Sequence, residues 1–146
     1  MIRQLTDIDQ NALLKLYEHL HSEENNLSPE TINNIWAQSG QNKNIFYFGY
    51  FVGDQLVSSC QLVLIANFTR QGKPYCLIEN VVTHEDYRRM GFGKKLLKFT
   101  LNYAWQQDCY KAMLMTGRQD EYVHQFYKDL GFKHDEKTAY IAKPNQ

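Results

Sequence analysis

Two arginines and two glycines lie within six consecutive residues of this chain, at a spacing that suits the binding of an anion. The run is Arg88-Arg89-Met90-Gly91-Phe92-Gly93, and it joins an apolar, strand-like segment to an amphipathic segment of helical spacing. The first N–H groups of a helix have no acceptor within the helix, and the helix dipole adds about half a positive charge there. Glycines let an anion approach the backbone closely. The segment therefore predicts an anion cradle suited to a pyrophosphate.

Other phosphate-binding loops do not fit this segment. A P-loop needs Gly-Lys followed by Ser or Thr, and no such run follows Gly91 or Gly93. A dinucleotide-binding fingerprint directly follows the first strand, whereas these glycines come late in the chain. A glycine-containing turn with solvated arginines is the alternative interpretation. The position between a strand and an amphipathic helix favours the anion site.

A carboxylate, Glu79, interrupts the apolar segment before this loop. It lies between Ile78 and Val81, where a carboxylate is unusual. Burial would raise its pKa toward the range that suits a general base. Strand alternation places Glu79 on the face of Leu77 and Val81, unless a bulge intervenes. A carboxylate satisfied by a neighbouring strand or arginine, with no catalytic task, is an equally good interpretation.

The hydrophobic patterning predicts the elements that would position these residues. The predicted strands cover residues 1–5, 45–52, 55–66, 75–83, 111–116 and 137–143. The predicted helices run from Thr6 or Asp7 to about residue 20, from Pro29 to Gly40, from Gly91 to about Gln107, and over 119–130 with Gly131 as C-cap. Strands 75–83 and 111–116 flank a helix and should be parallel neighbours, whereas the Gly53-Asp54 turn makes an antiparallel hairpin. The order β-α-α-β-β-β-α-β-α-β predicts a mixed α/β fold, with a central, mostly antiparallel sheet and helices on both faces.

Length and composition fit one domain over residues 1–146. The chain is 43% hydrophobic and 14% aromatic, which supplies a core and excludes a disordered or collagen-like protein. Sixteen basic residues balance sixteen acidic ones, and this disfavours a general nucleic-acid binder. Residues 1–40 hold six acidic and two basic side chains, whereas residues 84–98 hold five basic and two acidic ones. Two patches of opposite charge suggest two ligands, or two parts of one ligand.

Metal sites, disulfides and membrane spans are not expected. His19 and His21 are two residues apart and would not share a helix face, and no His-Glu-x-x-His or Cys/His pairing indicates a metal. Cys60, Cys76 and Cys109 lie in apolar stretches, which predicts buried free thiols in a reducing compartment. No run approaches the ~18 apolar residues of a membrane span, and no secretory signal begins the chain. We therefore expect a cytoplasmic protein.

The segment around the anion cradle resembles the GNAT superfamily of acyl-CoA-dependent N-acetyltransferases. The family signature Arg/Gln-x-x-Gly-x-Gly/Ala is met by Arg88, Gly91 and Gly93, and an aromatic pair ahead of a Gly-Phe corner is met by Phe126-Tyr127-Lys128-Asp129-Leu130-Gly131-Phe132. The resemblance covers roughly residues 75–133, and the first 70 residues agree only in element order. Ile78-Glu79-Asn80-Val81-Val82 also looks like the glucosamine-6-phosphate acetyltransferase branch, which tends to have Asp at the position of Asn80.

The resemblance implies a coenzyme site. The backbone of Val81, Val82 and Thr83 would pair with the pantetheine arm of acetyl-CoA. The pyrophosphate would be held by backbone N–H groups from Arg88, Arg89, Met90, Gly91, Phe92, Gly93 and Lys94. The Arg88 and Arg89 side chains would add positive charge near the phosphates.

Tyr127 matches the family tyrosine that donates a proton to the leaving thiolate. A phenol, whose ordinary pKa is about 10, can protonate a thiolate of similar basicity. Tyr127 also belongs to an apolar helical stripe, so a core position is the alternative interpretation. Seven positions earlier the family often has a coenzyme-contacting Asn. This chain has Asp120 there, and an ionised carboxylate accepts a hydrogen bond but cannot donate one.

The resemblance implies an N-acetyltransferase that moves the acetyl group of acetyl-CoA to a primary amine of a small molecule or peptide, by direct attack in a ternary complex. The acidic first 40 residues favour a cationic acceptor, although Glu23 and Glu24 also fit an ordinary solvated loop. A non-catalytic CoA-binding sensor or interaction module is the main alternative, and a nucleotide-phosphate binder is a third. Neither nucleic acid nor a membrane is an expected partner, and a homodimer is compatible with these interpretations.

Overall fold

A computed structural model describes residues 1–20 and 27–144 of the chain. His21, Glu23 and Glu24 therefore lie outside the described residues. The chain divides into two compact units, residues 1–116 and residues 117–146. Among the described residues, the first unit contains the sheet and three α-helices, and the second contains one α-helix.

The first unit is built on one five-stranded sheet. Its strands are β1 (Ile2–Gln4), β2 (Ile45–Val52), β3 (Gln55–Ile65), β4 (Tyr75–Thr83) and β5 (Ala112–Met113), and they lie side by side in this order. Strands β1 to β4 pair antiparallel, and β5 pairs parallel with β4. The predicted hairpin and the predicted parallel crossover are both confirmed. Gly53 makes the hairpin turn with a left-handed φ of 56°.

Residues 1–20 and 27–144 contain four α-helices, and most begin where local sequence signals place them. They are α1 (Gln10–Tyr17), α2 (Pro29–Gly40), α3 (Phe92–Gln106) and, in the second unit, α4 (Glu121–Lys128). The hydroxyl of Ser28 caps α2 by accepting the N–H of Thr31 at 3.1 Å, ahead of proline at the first helical position. A 3-10 turn over Asp7–Asp9 precedes α1, which therefore starts later and ends earlier than predicted.

Helices cover both faces of the sheet, as the adjacent residues Tyr47 and Phe48 show. Successive strand residues point to opposite faces. Tyr47 stacks on Trp36 of α2 at 5.4 Å, whereas Phe48 meets Phe99 of α3 at 5.3 Å. On the α1 and α2 side, the buried core consists of Leu5, Leu13, Leu16, Phe51, Leu56 and Val82. The mixed α/β architecture with helices on both faces is confirmed.

Two predicted strands differ from the structure. Residues 111–116 shorten to Ala112–Met113, because only these residues pair with β4. Residues 137–143 form no strand: Tyr140 is 92% exposed, Ile141 is 71% exposed, and no strand pairing of the described chain includes them. Aromatic and β-branched residues favour a strand only where a partner strand satisfies the backbone and covers the side chains.

Candidate functional site

The loop between β4 and α3, which the sequence predicts to be an anion cradle, ends at a left-handed glycine. Gly91 precedes the first residue of α3 with a φ of 82°. A Cβ placed on Gly91 would meet nothing within 4 Å, so the glycine serves the backbone conformation and the space beside it is open. The first helical bond joins Lys95 N–H to Gly91 O at 3.0 Å. Gly91 itself has no side chain to cap this turn, and the space beside its α-carbon is open, so a ligand can approach the start of α3 there.

The Arg88 guanidinium makes two hydrogen bonds to main-chain carbonyls. Its Nε donates to Thr83 O at 3.1 Å, and its Nη2 donates to His19 O at 3.2 Å. These contacts tie the loop to the end of β4 and to the residues that follow α1. The sequence predicted this side chain beside the phosphates. In the structure its guanidinium braces the loop with part of its five-donor fork, and its place beside the phosphates remains a prediction.

Aromatic packing fixes the first turn of α3. The Phe92 ring lies 4.8 Å from Tyr50 and 5.9 Å from Tyr87. Gly93 is buried, and Met90 is 58% exposed. The Tyr87 hydroxyl also donates to Gln55 Oε1 at 2.9 Å, which ties the short turn after β4 to the β2–β3 hairpin.

Strand β4 carries a bulge at Asn80. Val82 pairs with Ser59 and Glu79 pairs with Gln61, so β4 has one more residue than β3 between these pairs. Asn80 adopts a left-handed φ of 52°. Because of the extra residue, the alternation of side chains between the two sheet faces is reversed after Asn80. Val82 therefore packs in the core on the α1 side. The sequence reading of one continuous face through Glu79 and Val81 is therefore interrupted at Asn80.

Much of β4 has an unpaired edge on the side of β5. The ladder between the two strands contains only Cys76 with Ala112 and Leu77 with Met113, within the described chain. An edge strand offers N–H and C=O groups to an added extended chain. The Thr83 carbonyl already has one partner, because it accepts from Arg88 Nε at 3.1 Å. A carbonyl oxygen has a second lone pair, so Thr83 O keeps accepting capacity.

Glu79 lies beside the bulge, across the ladder from Gln61. It is half-buried rather than fully buried, so the desolvation that the sequence led us to expect is only partial. Among the described residues, no cation and no hydrogen-bond donor contacts its carboxylate. The alternative interpretation, in which an arginine pairs with the Glu79 carboxylate, is therefore not supported by the described residues.

A group of polar and aromatic side chains surrounds the bulge, and sequence reasoning missed it. The Gln61 Nε2 donates to Tyr47 Oη at 3.1 Å, and Asn80 Nδ2 donates to Gln61 Oε1 at 3.2 Å. Burial raises the pKa of the nearby Tyr17 phenol, Tyr47 adds to the rise, and the Asn80 amide partly offsets it. We call Tyr17, Tyr47, Gln61 and Asn80 the bulge cluster. The available signal was Asn80 itself, since Asn is disfavoured inside strands and tolerates a left-handed backbone.

The second unit holds Tyr127 and Asp120. Tyr127 is half-buried in α4, with its ring 5.1 Å from Phe126 and 6.0 Å from Phe132. Asp120 precedes the first residue of α4, and its Oδ2 accepts from Arg118 Nε at 3.0 Å. Gly131 ends the helical segment with a φ of 90°, as its predicted role as C-cap requires. The coenzyme-binding and proton-donating roles of these residues remain predictions.

The three cysteines are buried, as predicted. Burial raises the pKa of the Cys60 and Cys76 thiols to about 12, which disfavours a thiolate nucleophile at either position. Residues 1–20 and 27–144 contain no cluster of three or more potential metal-ligating His, Cys, Asp or Glu side chains. None of the helices in those two ranges is both long and apolar enough to cross a bilayer.

Known proteins resemble this chain over nearly its full length. A Trypanosoma brucei brucei protein named glucosamine 6-phosphate N-acetyltransferase is 30% identical over 138 residues, which is 93% of this chain and 90% of that protein. A solved structure of a provisionally assigned acetyltransferase from Agrobacterium tumefaciens is 31% identical, with a TM-score of 0.91 and coverage of 98% of this chain and 99% of that one. A Trypanosoma brucei acetyltransferase structure is 28% identical, with a TM-score of 0.81 and the same two coverages. The sequence model of the acetyltransferase (GNAT) family matches residues 9–132, across both units, and the chain belongs to this family.

Proposed function

We propose that this chain is an N-acetyltransferase that moves the acetyl group of acetyl-CoA to the primary amine of a small molecule. The amine nitrogen bonds to the acetyl carbonyl carbon, and the carbon–sulfur bond breaks. The nitrogen loses one proton, and the departing thiolate gains one. The amine therefore needs a side chain or an ordered water that accepts its proton, and the departing thiolate needs one that donates a proton.

The observation that carries the proposal is the left-handed Gly91 immediately before the first turn of α3, in the loop after a strand whose edge is largely unpaired among the described residues. The helix N-terminus suits a pyrophosphate. The open edge of β4 suits an extended arm whose amides pair with Val81, Val82 and Thr83. One ligand with both chemical features is a coenzyme A thioester.

Glu79 supplies the acceptor side of the proposed site, and the bulge cluster lies beside it. They lie on the face of the sheet that α1 and α2 cover, beside the bulge in β4. The amide and hydroxyl groups of the bulge cluster thus lie on the same face as the Glu79 carboxylate. Such a surface suits an amine on a hydroxylated molecule, and the name of the Trypanosoma brucei brucei relative makes amino sugars the first acceptors to test.

Thiol release from acetyl-CoA with a panel of amines tests the proposal. The panel contains glucosamine 6-phosphate, glucosamine, an aminoglycoside, a polyamine and a lysine peptide. We expect release above the rate without amine for at least one small amine. Tight CoA binding with no amine-dependent release would instead support a CoA-binding sensor. A thermal shift with ATP or NAD that exceeds the shift with CoA would support a nucleotide binder.

Replacing Glu79 by Gln tests the role of this carboxylate as a base. The amide keeps the shape and hydrogen-bonding capacity but cannot take a proton, so turnover should fall and the acidic limb of the pH–rate profile should disappear. Steady-state rates across the acidic and neutral range measure both effects. Glu136→Gln, a change at an exposed glutamate outside the first 40 residues, is the matched control and should keep the wild-type profile. If the acidic limb persists in Glu79→Gln, the limb arises from the substrate amine or from a water chain, and Glu79 is not the base.

Charge in the first 40 residues bears on the choice of acceptor. One of these acidic groups is already neutralised: Asp9 is 6% exposed, and its two oxygens accept from Arg3 at 2.6 and 2.8 Å. The Arg3 guanidinium holds the pKa of Asp9 below its usual range. Any attraction of a cationic amine must therefore come from the other acidic residues, such as Glu23 and Glu24.

Replacing Glu23 and Glu24 together by Gln tests this attraction. We expect a higher apparent KM for the amine and an unchanged KM for acetyl-CoA. The difference should shrink with salt, because the Debye length falls from about 10 Å at 0.1 M to about 3 Å at 1 M. Equal acceptor KM values for mutant and wild type at low salt would show that these residues do not influence substrate choice.

A further inference from the structure

The left-handed residue in β4 is held by a chain of side-chain contacts that begins on α2. The Trp36 ring stacks on Tyr47, with 22° between the ring planes. The Tyr47 hydroxyl accepts from Gln61 Nε2 at 3.1 Å, and Gln61 Oε1 accepts from Asn80 Nδ2 at 3.2 Å. Each link joins a different element, so the chain of contacts crosses β2 and β3 before it reaches the bulge.

Asn80 needs such support because its backbone conformation is costly. Side chains other than Gly adopt a left-handed φ at an energetic cost, and Asn tolerates it better than most. A conformation of this kind persists where its surroundings hold it in place. The amide of Gln61 supplies this hold, since it is the side-chain partner that the structure gives Asn80 Nδ2.

The bulge decides where the groups on either side of it point. Glu79 lies directly before Asn80, and Val81, Val82 and Thr83 follow it. A bulge that relaxed into regular pairing would shift the register of Val81–Thr83 against β3 and turn their side chains to the opposite face. The backbone conformation of Asn80 therefore determines both the direction of the Glu79 carboxylate and the position of the backbone edge that would bind the coenzyme.

We propose that Gln61 is a positioning residue, which holds Asn80 in its left-handed conformation and so aligns Glu79 with the coenzyme-binding edge of β4. The inference rests on the proposed function, because alignment matters for a reaction between two substrates. Gln61 acts through Asn80 and touches neither substrate. A small misplacement of reacting groups is enough to lower turnover strongly.

A suppressor experiment separates this role from a direct contact with substrate. Gln61→Met keeps the side-chain length and removes both hydrogen bonds, and we expect kcat to fall about tenfold and the CoA dissociation constant to rise several-fold. Asn80→Gly adopts the left-handed conformation without help from Gln61. The double variant Gln61→Met, Asn80→Gly should therefore recover most of the activity and CoA affinity lost in Gln61→Met. Gln4→Met, an exposed change on β1, is the matched control.

Two readouts keep the outcomes distinct. Calorimetric titration with CoA tests the alignment of β4 without any acceptor, so it remains informative if no amine is acetylated. Tyr47→Phe, which removes one anchor of Gln61 and keeps the ring on Trp36, should give a smaller loss of the same kind. A different result would overturn the proposal: Gln61→Met raises only the acceptor KM, and adding Asn80→Gly does not restore it. Gln61 would then contact the amine. Gln61→Met behaviour equal to that of Gln4→Met would overturn it as well.

Discussion

Tyr127→Phe is expected to lower turnover by roughly 10²-fold, in line with the contribution of a general acid. The substitution removes one hydroxyl and keeps the ring against Phe126 and Phe132. Coenzyme binding should stay nearly intact, because only the protonation of the leaving thiolate is affected. Steady-state kcat, with the CoA dissociation constant measured separately, distinguishes the two effects.

Tyr140→Phe is the matched control for this change. Tyr140 is also in the second unit and is 92% exposed, so loss of its hydroxyl should leave turnover at the wild-type value. If Tyr127→Phe stays within a factor of about two of wild type, Tyr127 is a packing residue of α4 and the thiolate takes its proton from elsewhere.

Gly91→Asp is expected to weaken CoA binding more than tenfold, a loss above about 1.4 kcal/mol. The change places a carboxylate at the start of α3, where the pyrophosphate is proposed to bind, and like charges repel. It also strains a backbone with a φ of 82°, although the added Cβ itself meets open space. Calorimetric titration with CoA measures the affinity, and a thermal melt reports on the fold.

Gly72→Asp is the control that distinguishes repulsion of the pyrophosphate at Gly91 from the backbone strain of replacing any left-handed glycine. Gly72 has a similar φ of 77° and the same open surroundings, but it lies in the loop before β4. The control should share any loss of thermal stability and keep wild-type affinity for CoA. Equal CoA affinity in Gly91→Asp and wild type would refute the cradle assignment.

The cradle region could be predicted from the sequence because its signals are local. Apolar residues bounded by turn signals gave β4 its observed limits of Tyr75 and Thr83, and Gly91 marked the start of α3. The left-handed φ of Gly91 is the conformation that glycine adopts at little cost. Such local features need no knowledge of distant contacts.

The bulge at Asn80 could not be placed from the same patterns. Strand alternation assumes continuous pairing, and the extra residue appears only when the registers of Ser59 with Val82 and Gln61 with Glu79 are compared. Gln61 and Tyr47 contact the bulge region from other strands, so their sequence neighbours give no sign of it. The prediction of a strand over residues 137–143 was wrong for a related reason, because a strand depends on a partner strand that the local sequence does not show.

The Arg88 side chain shows another limit of motif-based inference. The motif predicts the anion-binding loop, but an arginine has five donors and a long reach, so its spacing alone does not say which acceptors it meets. In the structure these include Thr83 O and His19 O. The proposed cradle therefore depends on the backbone of the loop, which Arg88 braces.

Joint quantification of both products shows whether this chain joins the acetyl group of acetyl-CoA to an amine. Purified protein is mixed with acetyl-CoA and the best amine of the panel, and free thiol and acetylated amine are both quantified over time. We expect equal amounts of the two products, formed only when protein and amine are both present. Thiol released without acetylated amine, or CoA bound with neither product formed by any amine of the panel, would contradict it.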